Sequence, residues 1–550
     1  MHPAPDEIYD YGLFLLNKLL GDYGCQLSEW PSMPQPTGDW QRLTENPLIA
    51  KQLDYDRTQL LLELDTRLGK LNEEQRTAYE CITASVNNCD GQLFFLNGPG
   101  GTGKTFVYNT VCAKLRGDGK IILCVSSSGI SALLLRGGRT AHSMFKIPIN
   151  NLHEHSVCAI PKDSNRAELM CTTSAIIWDE IGAQHCLAVE AVDRMLRDLR
   201  SSDRPFGGLT VILGNDPLLI CLFAVLILFL GGDFLQTLPV VPKGSREEIV
   251  DATVQRSRLW NAVKILRLHQ NMRLDSSDPG ARQFAEWLLD VGHGRNMVDD
   301  TNIRIPASMQ VADTNELIQS IYPGIDSSPP PPPSYFLNRM ILAPRNLDVN
   351  GLNQEILGRM SGESREYISA DHQIYEEGVD PADLNPLTVE FLRDVDASNL
   401  PPGELYLKVG CPVILLRNLA PTQGLCNGSR MIVTQMRDRV LEVRLIGGDY
   451  DGEIALIPRI CMAPPSSAGL AFDFRRLQLP VRLAFALSVN KAQGQSSDYV
   501  GVYLSLPVFS HGQLYVALSH TTNGRNVKVL LPHDAIDTIT PNVVYDEVLI

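Results

Sequence analysis

Leu93-Phe94-Phe95-Leu96-Asn97-Gly98-Pro99-Gly100-Gly101-Thr102-Gly103-Lys104-Thr105 is the stretch on which the reading of the fold turns. Its first four residues read as a buried strand. The rest is a complete G-x-x-x-x-G-K-[ST] loop running into an amphipathic stretch, Thr105 to Arg116. Strand, glycine-rich turn and helix in that order form a cradle for a phosphate chain. Its glycines, Gly98, Gly100, Gly101 and Gly103, with Pro99 and Thr102 between them, let backbone N–H groups wrap the phosphates, and the helix N-terminus adds positive field. Lys104 is placed to reach the β- and γ-phosphates, and Thr105 to offer its hydroxyl to Mg2+. The competing reading is a glycine-rich turn that holds nothing, and the strand–helix context argues against it.

A hydrolytic site needs an acid at the tip of a neighbouring strand, and Ala175-Ile176-Ile177-Trp178-Asp179-Glu180 supplies two. Asp179 is expected to hold the metal through water and Glu180 to polarise the attacking water. An isolated Asp-Glu pair means little. One that follows an apolar strand downstream of a phosphate loop marks a nucleotide-hydrolysing enzyme.

Outward from these two motifs, short apolar strands (Ile121–Val125, Thr210–Leu213) alternate with helical stretches such as Leu187–Arg200, the texture of a parallel sheet covered on both faces. A second such region begins near Leu259, with Leu266 and Leu268 in alternation, passes a five-proline loop at Pro329–Pro333, and resumes as a strand at Phe336–Leu342. Between Leu405 and Ile460 the texture changes to short strands (Leu405–Leu407, Pro412–Leu415, Met431–Val433, Leu441–Leu445, Ile454–Ile457) separated by Gly/Asn/Asp turns, which predicts a small inserted β-barrel. Residues 1–66 hold a helical stretch, Ile8–Leu20, and a Pro/Trp-rich connector.

The chain has 550 residues and a net charge of −15, which rules against a coat of bulk positive charge on nucleic acid but not against a local strand groove. Its twelve cysteines include no C-x-x-C pair, so reduced thiols are expected rather than a disulfide framework. His153, His155 and Cys158 have loosely metal-like spacing without a fourth ligand nearby. The N-terminus lacks the blocks of a signal peptide. Leu218–Leu230 is an unbroken apolar run of thirteen residues, shorter than the roughly 20 a membrane helix needs.

Further motifs carry a resemblance. Leu71-Asn72-Glu73-Glu74-Gln75 resembles an adenine-reading Q motif. Ser126–Ala132 and Gly138–Phe145 are similar to strand-contacting motifs, Gly231–Pro239 to motif III, and Asn271-Met272-Arg273-Leu274 to an arginine motif of a second lobe. Leu415–Leu419 with Gly424–Gly428, then Ala486–Gln495 and Gly512–Ser519 as motifs V and VI, complete the set. In this order they identify residues 67–532 as similar to the Pif-type superfamily 1 DNA helicases, including those of Helitron transposons. The resemblance implies an α/β fold of two RecA-like P-loop domains with parallel sheets plus a small inserted SH3-like β-barrel. The expected boundaries are 1–66, 67–257, 258–350 for the first part of the second lobe, 351–470 for the insertion, and 471–550 for the remainder.

It also implies ATP and Mg2+ as cofactors and 5′-to-3′ translocation on single-stranded or forked DNA. Gln236 is implied to sense the γ-phosphate, Arg273 to be a catalytic arginine supplied by the second lobe, and Gln75 to bind nucleotide. Ser127, Gly129, Thr140, His142, Phe145, Asn490, Lys491 and Gln493 are implied DNA contacts, with ordinary packing as the alternative for His142 and Phe145. Repair, recombination, telomere maintenance or transposon replication would be the setting, and the nucleus, or else the mitochondrion, the compartment. No stable membrane association is expected, and the resemblance leaves the oligomeric state open.

Three departures from the family pattern stand out. His520 occupies the position of the arginine that ends motif VI, Leu235 that of an arginine in motif III, and seventeen residues, Gly214–Leu230, intervene where Leu213 should meet Gly231. That insert corresponds to 51 nucleotides (17 × 3), a short-intron length, and a retained intron is the expectation over a membrane anchor. The departures keep a second function open: a degenerate transposon product that binds ATP or DNA without unwinding.

Overall fold

The computed structural model describes residues 46–99, 101–149, 152–213, 228–232, 234–270, 272, 279–295, 297–299, 301–328, 331–374, 387–397, 400–420, 423–447, 450–464, 470, 472–493, 497–521, 523–532 and 538–549, with short pieces before residue 46 (9–10, 12–13, 16–17, 27–30, 33–35 and 37). The apolar runs that alternate with helices assemble as one seven-stranded sheet. Its strands are β1 (Leu93–Asn97), β2 (Ile122–Ser126), β3 (Arg139–Thr140), β4 (Ala175–Asp179), β5 (Thr210–Leu213), β6 (Leu228–Gly232) and β7 (Val263–Arg267). All pairings are parallel, in the order β3-β2-β4-β5-β6-β1-β7. Strands β1, β2 and β4 are buried along their whole length because helices cover both faces, which is why they read as continuous apolar runs.

The two faces have separate cores. One gathers Phe95, Phe145, Trp178 and Phe206, the other Phe94, Tyr108, Val111 and Ile82. The helix Arg57–Leu68 packs on the phosphate-loop helix Lys104–Gly117, and Asn46 donates to the Glu168 carboxylate at 3.0 Å, so residues from 46 onward belong to the first lobe rather than to a separate segment ending at 66.

The second lobe carries a four-stranded parallel sheet, Ala486–Ser488, Arg339–Ala343, Tyr499–Tyr503 and Val527–Leu530 in that order. The boundary expected at 258 moves downstream, because β7 completes the first sheet beside β1. Periodicity identified that strand without revealing its partner. Phe336 lies in a short helix, Pro333–Leu337, and the strand starts at Arg339. The inserted strands form a five-stranded antiparallel sheet ordered Ile454–Pro458, Val440–Leu445, Arg430–Met436, Pro412–Leu415, Val481–Leu483. Among the described residues its outer strands do not pair. Glu404–Leu407, expected in a barrel, pairs instead with Arg365–Ile368. The C-terminal residues cross back to the first lobe. Val548 is fully buried in that lobe's core, and Glu547 pairs with Arg246 at 2.7 Å.

The expected insert falls in the centre of the first sheet, and most of it, 214–227, lies outside the described residues. Strands β5 and β6 share one slot between β1 and β4. Leu93 is level with Val211, Phe94 with Phe229, and Ala175 with Thr210, Ile176 with Leu228. Where β5 and β6 lie side by side, Val211 faces Leu228 and Ile212 faces Phe229, an offset of seventeen residues (228 − 211). That offset equals the length of Gly214–Leu230, so joining Leu213 to Gly231 leaves one strand in unbroken register. Among the described residues no helix is long and apolar enough to cross a membrane.

A chain lacking Gly214–Leu230 is therefore expected to fold, and to melt at or above the temperature of the intact chain in differential scanning calorimetry. Loss of cooperative unfolding in the shortened chain would show that the slot needs the extra residues.

Candidate nucleotide site and the seam between the lobes

The phosphate loop is braced from below. Asn72 and Gln75 form a capping box at the start of the helix Glu73–Asn88, and the Gln75 amide donates to the Thr102 carbonyl at 2.9 Å. Gln75 is 1% exposed, so the residue expected to read a base acts in this structure as a buried prop for the loop. Gly98 and Gly103 are required by packing: a Cβ on Gly98 would lie 2.4 Å from the Thr102 hydroxyl, and Gly103 has φ +82 with the Gln75 amide 2.5 Å from its would-be Cβ. Lys104 folds its ammonium onto the carbonyls of Gly98 and Pro99, the latter at 3.3 Å. Met272 donates its backbone N–H to the Gly101 carbonyl at 2.9 Å, which brings the expected arginine motif against the loop. Gly100 and Arg273 themselves lie outside the described residues.

Asp179 and Glu180 stand at the carboxyl end of β4, where ligands gather in open parallel sheets. Burial raises the Asp179 carboxyl, against the nearby charge of Lys104 and a hydrogen bond from the Glu180 N–H at 3.0 Å. Burial and the Asp179 charge push Glu180 up to about 7, against hydrogen bonds from Ser131 and Ser128. Two carboxylates face one lysine here, and with the Thr105 hydroxyl they make a set of hard oxygen donors that fits Mg2+. A carboxylate near 7 is also tuned to accept a proton from water. Glu180 sits at φ 55, ψ 41, the left-handed region that costs a non-glycine residue energy.

The two lobes meet beside these acids. Gln493 donates to the Gln236 side chain at 2.8 Å and accepts from the Thr237 hydroxyl at 3.0 Å. His511 lies with Nε2 2.7 Å from the Phe234 carbonyl while its Nδ1 accepts from the Tyr545 N–H at 2.8 Å, an arrangement that places the proton on Nε2. Burial drives its pKa down to about 4, so it stays neutral. Leu235, where an arginine was expected, is 6% exposed and packs with Val291 and Tyr515 of the second lobe. His520 is 4% exposed, with Nδ1 2.5 Å from the Val516 carbonyl and Nε2 2.8 Å from the Ala492 carbonyl, so its ring is set among carbonyls of its own lobe.

Residues 70–226 and 221–302 match the sequence profile of the PIF1-like helicases, and 390–436 that of the Pif1 DNA helicase 2B domain. The chain belongs to the PIF1-like helicase family. It is 27% identical over 469 residues to the ATP-dependent DNA helicase PIF1 of Danio rerio, covering 84% of this chain and 61% of that one. It is 25% identical over 491 residues to the ATP-dependent DNA helicase Pif1 of a Psychrobacter species, covering 81% and 66%. The chain thus spans less than two thirds of these relatives. In fold it is similar to Bacteroides Pif1 bound to single-stranded DNA, with a TM-score of 0.59 at 22% identity over 87% of this chain and 94% of that one. A structure of Pif1 helicases at forked DNA gives 0.57 at 23% identity, over 84% and 91%.

The residues that the Pif-type motifs assign to DNA divide into two groups. Ser127, Gly129, Thr140 and His142 line the carboxyl ends of β2 and β3, partly exposed, and burial lowers the His142 pKa. Asn490 is exposed, and Lys491 lines a cleft with Asn346, Asn350 and Arg482, three polar residues that no motif had flagged. Phe145 does not join them. It is 0% exposed and its ring lies 5.5 Å from that of Trp178 in the first core, so it cannot stack a base. Gln493 is likewise turned into the lobe seam. His153, His155 and Cys158 form no metal site: among the described residues no group of three or more His, Cys, Asp or Glu side chains is placed to hold a metal ion, and burial pushes the Cys158 thiol up to about 12.

Phe145→Ala is accordingly expected to cost about 3–5 kcal/mol, the range for a buried aromatic. Urea unfolding measures it, and a change below about 1 kcal/mol would return Phe145 to the list of surface contacts.

Proposed function

We propose that this chain is an ATP-hydrolysing DNA helicase that moves 5′ to 3′ on a single strand, with Mg2+ held by Thr105 and Asp179. The observation that carries the reading is the hydrogen bond between Gln493 and Gln236. It joins the glutamine that motif III assigns to sensing the γ-phosphate in one lobe to the strand-contacting motif of the other. A nucleotide that moves Gln236 therefore moves the second lobe's grip. The metal supplies charge neutralisation at the phosphates when bound. Lys104 leaves the Gly98 and Pro99 carbonyls for the phosphates, and Glu180 takes the proton of the attacking water. The strand runs over the Ser127–Gly129 turn and the His142 helix, then along the Lys491–Arg482 cleft, gripped by backbone contacts that tolerate any sequence. The names of the Danio and Psychrobacter relatives support ATP and DNA as the substrates. The direction rests on the motif set.

His520 favours a second reading, a motor with impaired hydrolysis. With its ring engaged by the Val516 and Ala492 carbonyls, motif VI offers the phosphates no cation at that position. Arginine fingers are worth about 10³–10⁵ in rate in analogous sites.

Steady-state ATP turnover with and without a single strand separates the readings. A motor shows strand-stimulated turnover that Lys104→Ala abolishes, and displaces a fork's partner strand with a 5′ tail but not a 3′ tail. Because Glu180 must be ionised to act, turnover is expected to fall about tenfold per pH unit below 7 and to level off above it. Strand-insensitive turnover that rises about tenfold or more with His520→Arg, about 1.4 kcal/mol of barrier, would favour the impaired motor. Turnover that persists in Lys104→Ala would defeat both.

A further inference from the structure

The turn Ser126-Ser127-Ser128 grips the acid pair at three points. The Ser126 hydroxyl and the Ser127 N–H each donate to the Asp179 carbonyl at 3.3 Å. The Ser128 hydroxyl donates to the Glu180 carboxylate at 3.2 Å, lies 2.6 Å from the Ser131 hydroxyl, and accepts from the Ser131 N–H at 3.1 Å. Ser131 also hydrogen-bonds Glu180. A hydroxyl carries one proton, so the Ser128 proton given to Glu180 is available to nothing else. Glu180 takes a left-handed backbone conformation, φ 55 and ψ 41, with its carboxylate on the Ser128 hydroxyl.

The same turn is where a strand would sit. The Ser127 hydroxyl is buried without a partner among the described residues, a donor that a phosphate oxygen would satisfy. At Gly129 the Asn427 carbonyl of the second lobe comes so close that a Cβ would meet it at 2.3 Å. Strand entry and movement of the second lobe therefore both act on the residues that hold the carboxylate.

We propose that Ser128 and Ser131 are positioning residues forming a latch, which keeps Glu180 turned toward the strand-binding turn until a single strand occupies that turn and releases the base for hydrolysis. The latch rests on the reading of the chain as a strand-stimulated ATPase. It explains how occupancy of one face of the sheet is felt at the nucleotide without any movement of the phosphate loop.

The test compares the full chain with Ser128→Ala and Ser128→Thr at about pH 8.5, where Glu180 is ionised. Ser128→Ala is expected to raise strand-free turnover about fivefold or more, the scale of an ordinary coupling between sites. Ser128→Thr keeps the hydroxyl and is expected to restore strand dependence. Strand-free turnover that stays level or falls in Ser128→Ala, in a protein that still melts cooperatively, overturns the latch. Absence of turnover from every form would strike the motor reading instead. The latch is then judged by the Glu180 carboxyl band, identified by its loss in Glu180→Gln infrared difference spectra. Single-stranded DNA must shift that band in the unaltered chain and leave it in place in Ser128→Ala; no shift in the unaltered chain overturns the latch.

Discussion

The strand that enters the phosphate loop and the strand that ends in Asp179 and Glu180 are not neighbours; one slot separates them, filled in turn by Thr210–Leu213 and Leu228–Gly232. Two strand spacings set the gap at about 10 Å, enough for a phosphate chain and a metal between lysine and acids. The slot also feeds directly into Phe234–Leu238, the segment that meets the second lobe. The parallel pairing across it thus fixes both the width of the nucleotide site and the place where a change there is passed on. An insertion at this point would be expected to wreck the sheet, yet the seventeen-residue offset keeps every pairing in register.

The lobes are bound together by a small set of polar and apolar contacts concentrated at that exit. Gln236 and Thr237 meet Gln493, the Phe234 carbonyl meets a neutral His511, and Leu235 fills the space beside Gly292 and Tyr515. The C-terminal strap adds the Arg246–Glu547 pair, half exposed and so worth at most about 1 kcal/mol, together with the burial of Val548. Leu235, at the position of the family's arginine, makes an apolar contact there and is buried. His520 is a different kind of departure, since its ring is drawn into its own lobe and leaves the cleft without that side chain.

Much of this was legible because the chemistry demands particular residues at particular spacings. The phosphate loop, the acid pair and the break at Gly214 could be read directly, since glycine, lysine and paired carboxylates have few other reasons to follow buried strands in that order. Partner choice was less legible. The alternation at Leu266 and Leu268 and the run Leu405–Leu407 were legible as extended chain, but a short apolar strand does not say which edge it will join. Phe145 lies in a segment that the motif assigns to DNA, and only the fold shows that its ring turns inward against Trp178. Gln75 and the serines have roles set by contacts across 27 to 52 residues of sequence, which no local pattern encodes.

The central claim is that nucleotide and strand are sensed through one connected seam, and reciprocal binding tests it most directly. Fluorescence anisotropy would give the Kd of a labelled single strand for the chain with ADP and with a non-hydrolysable ATP analogue, and the Kd of each nucleotide with and without strand. The account predicts that the two nucleotides set different strand affinities, and that strand binding changes the ratio of nucleotide affinities by the same factor, as linkage requires. Identical strand affinity in both nucleotide states would contradict it.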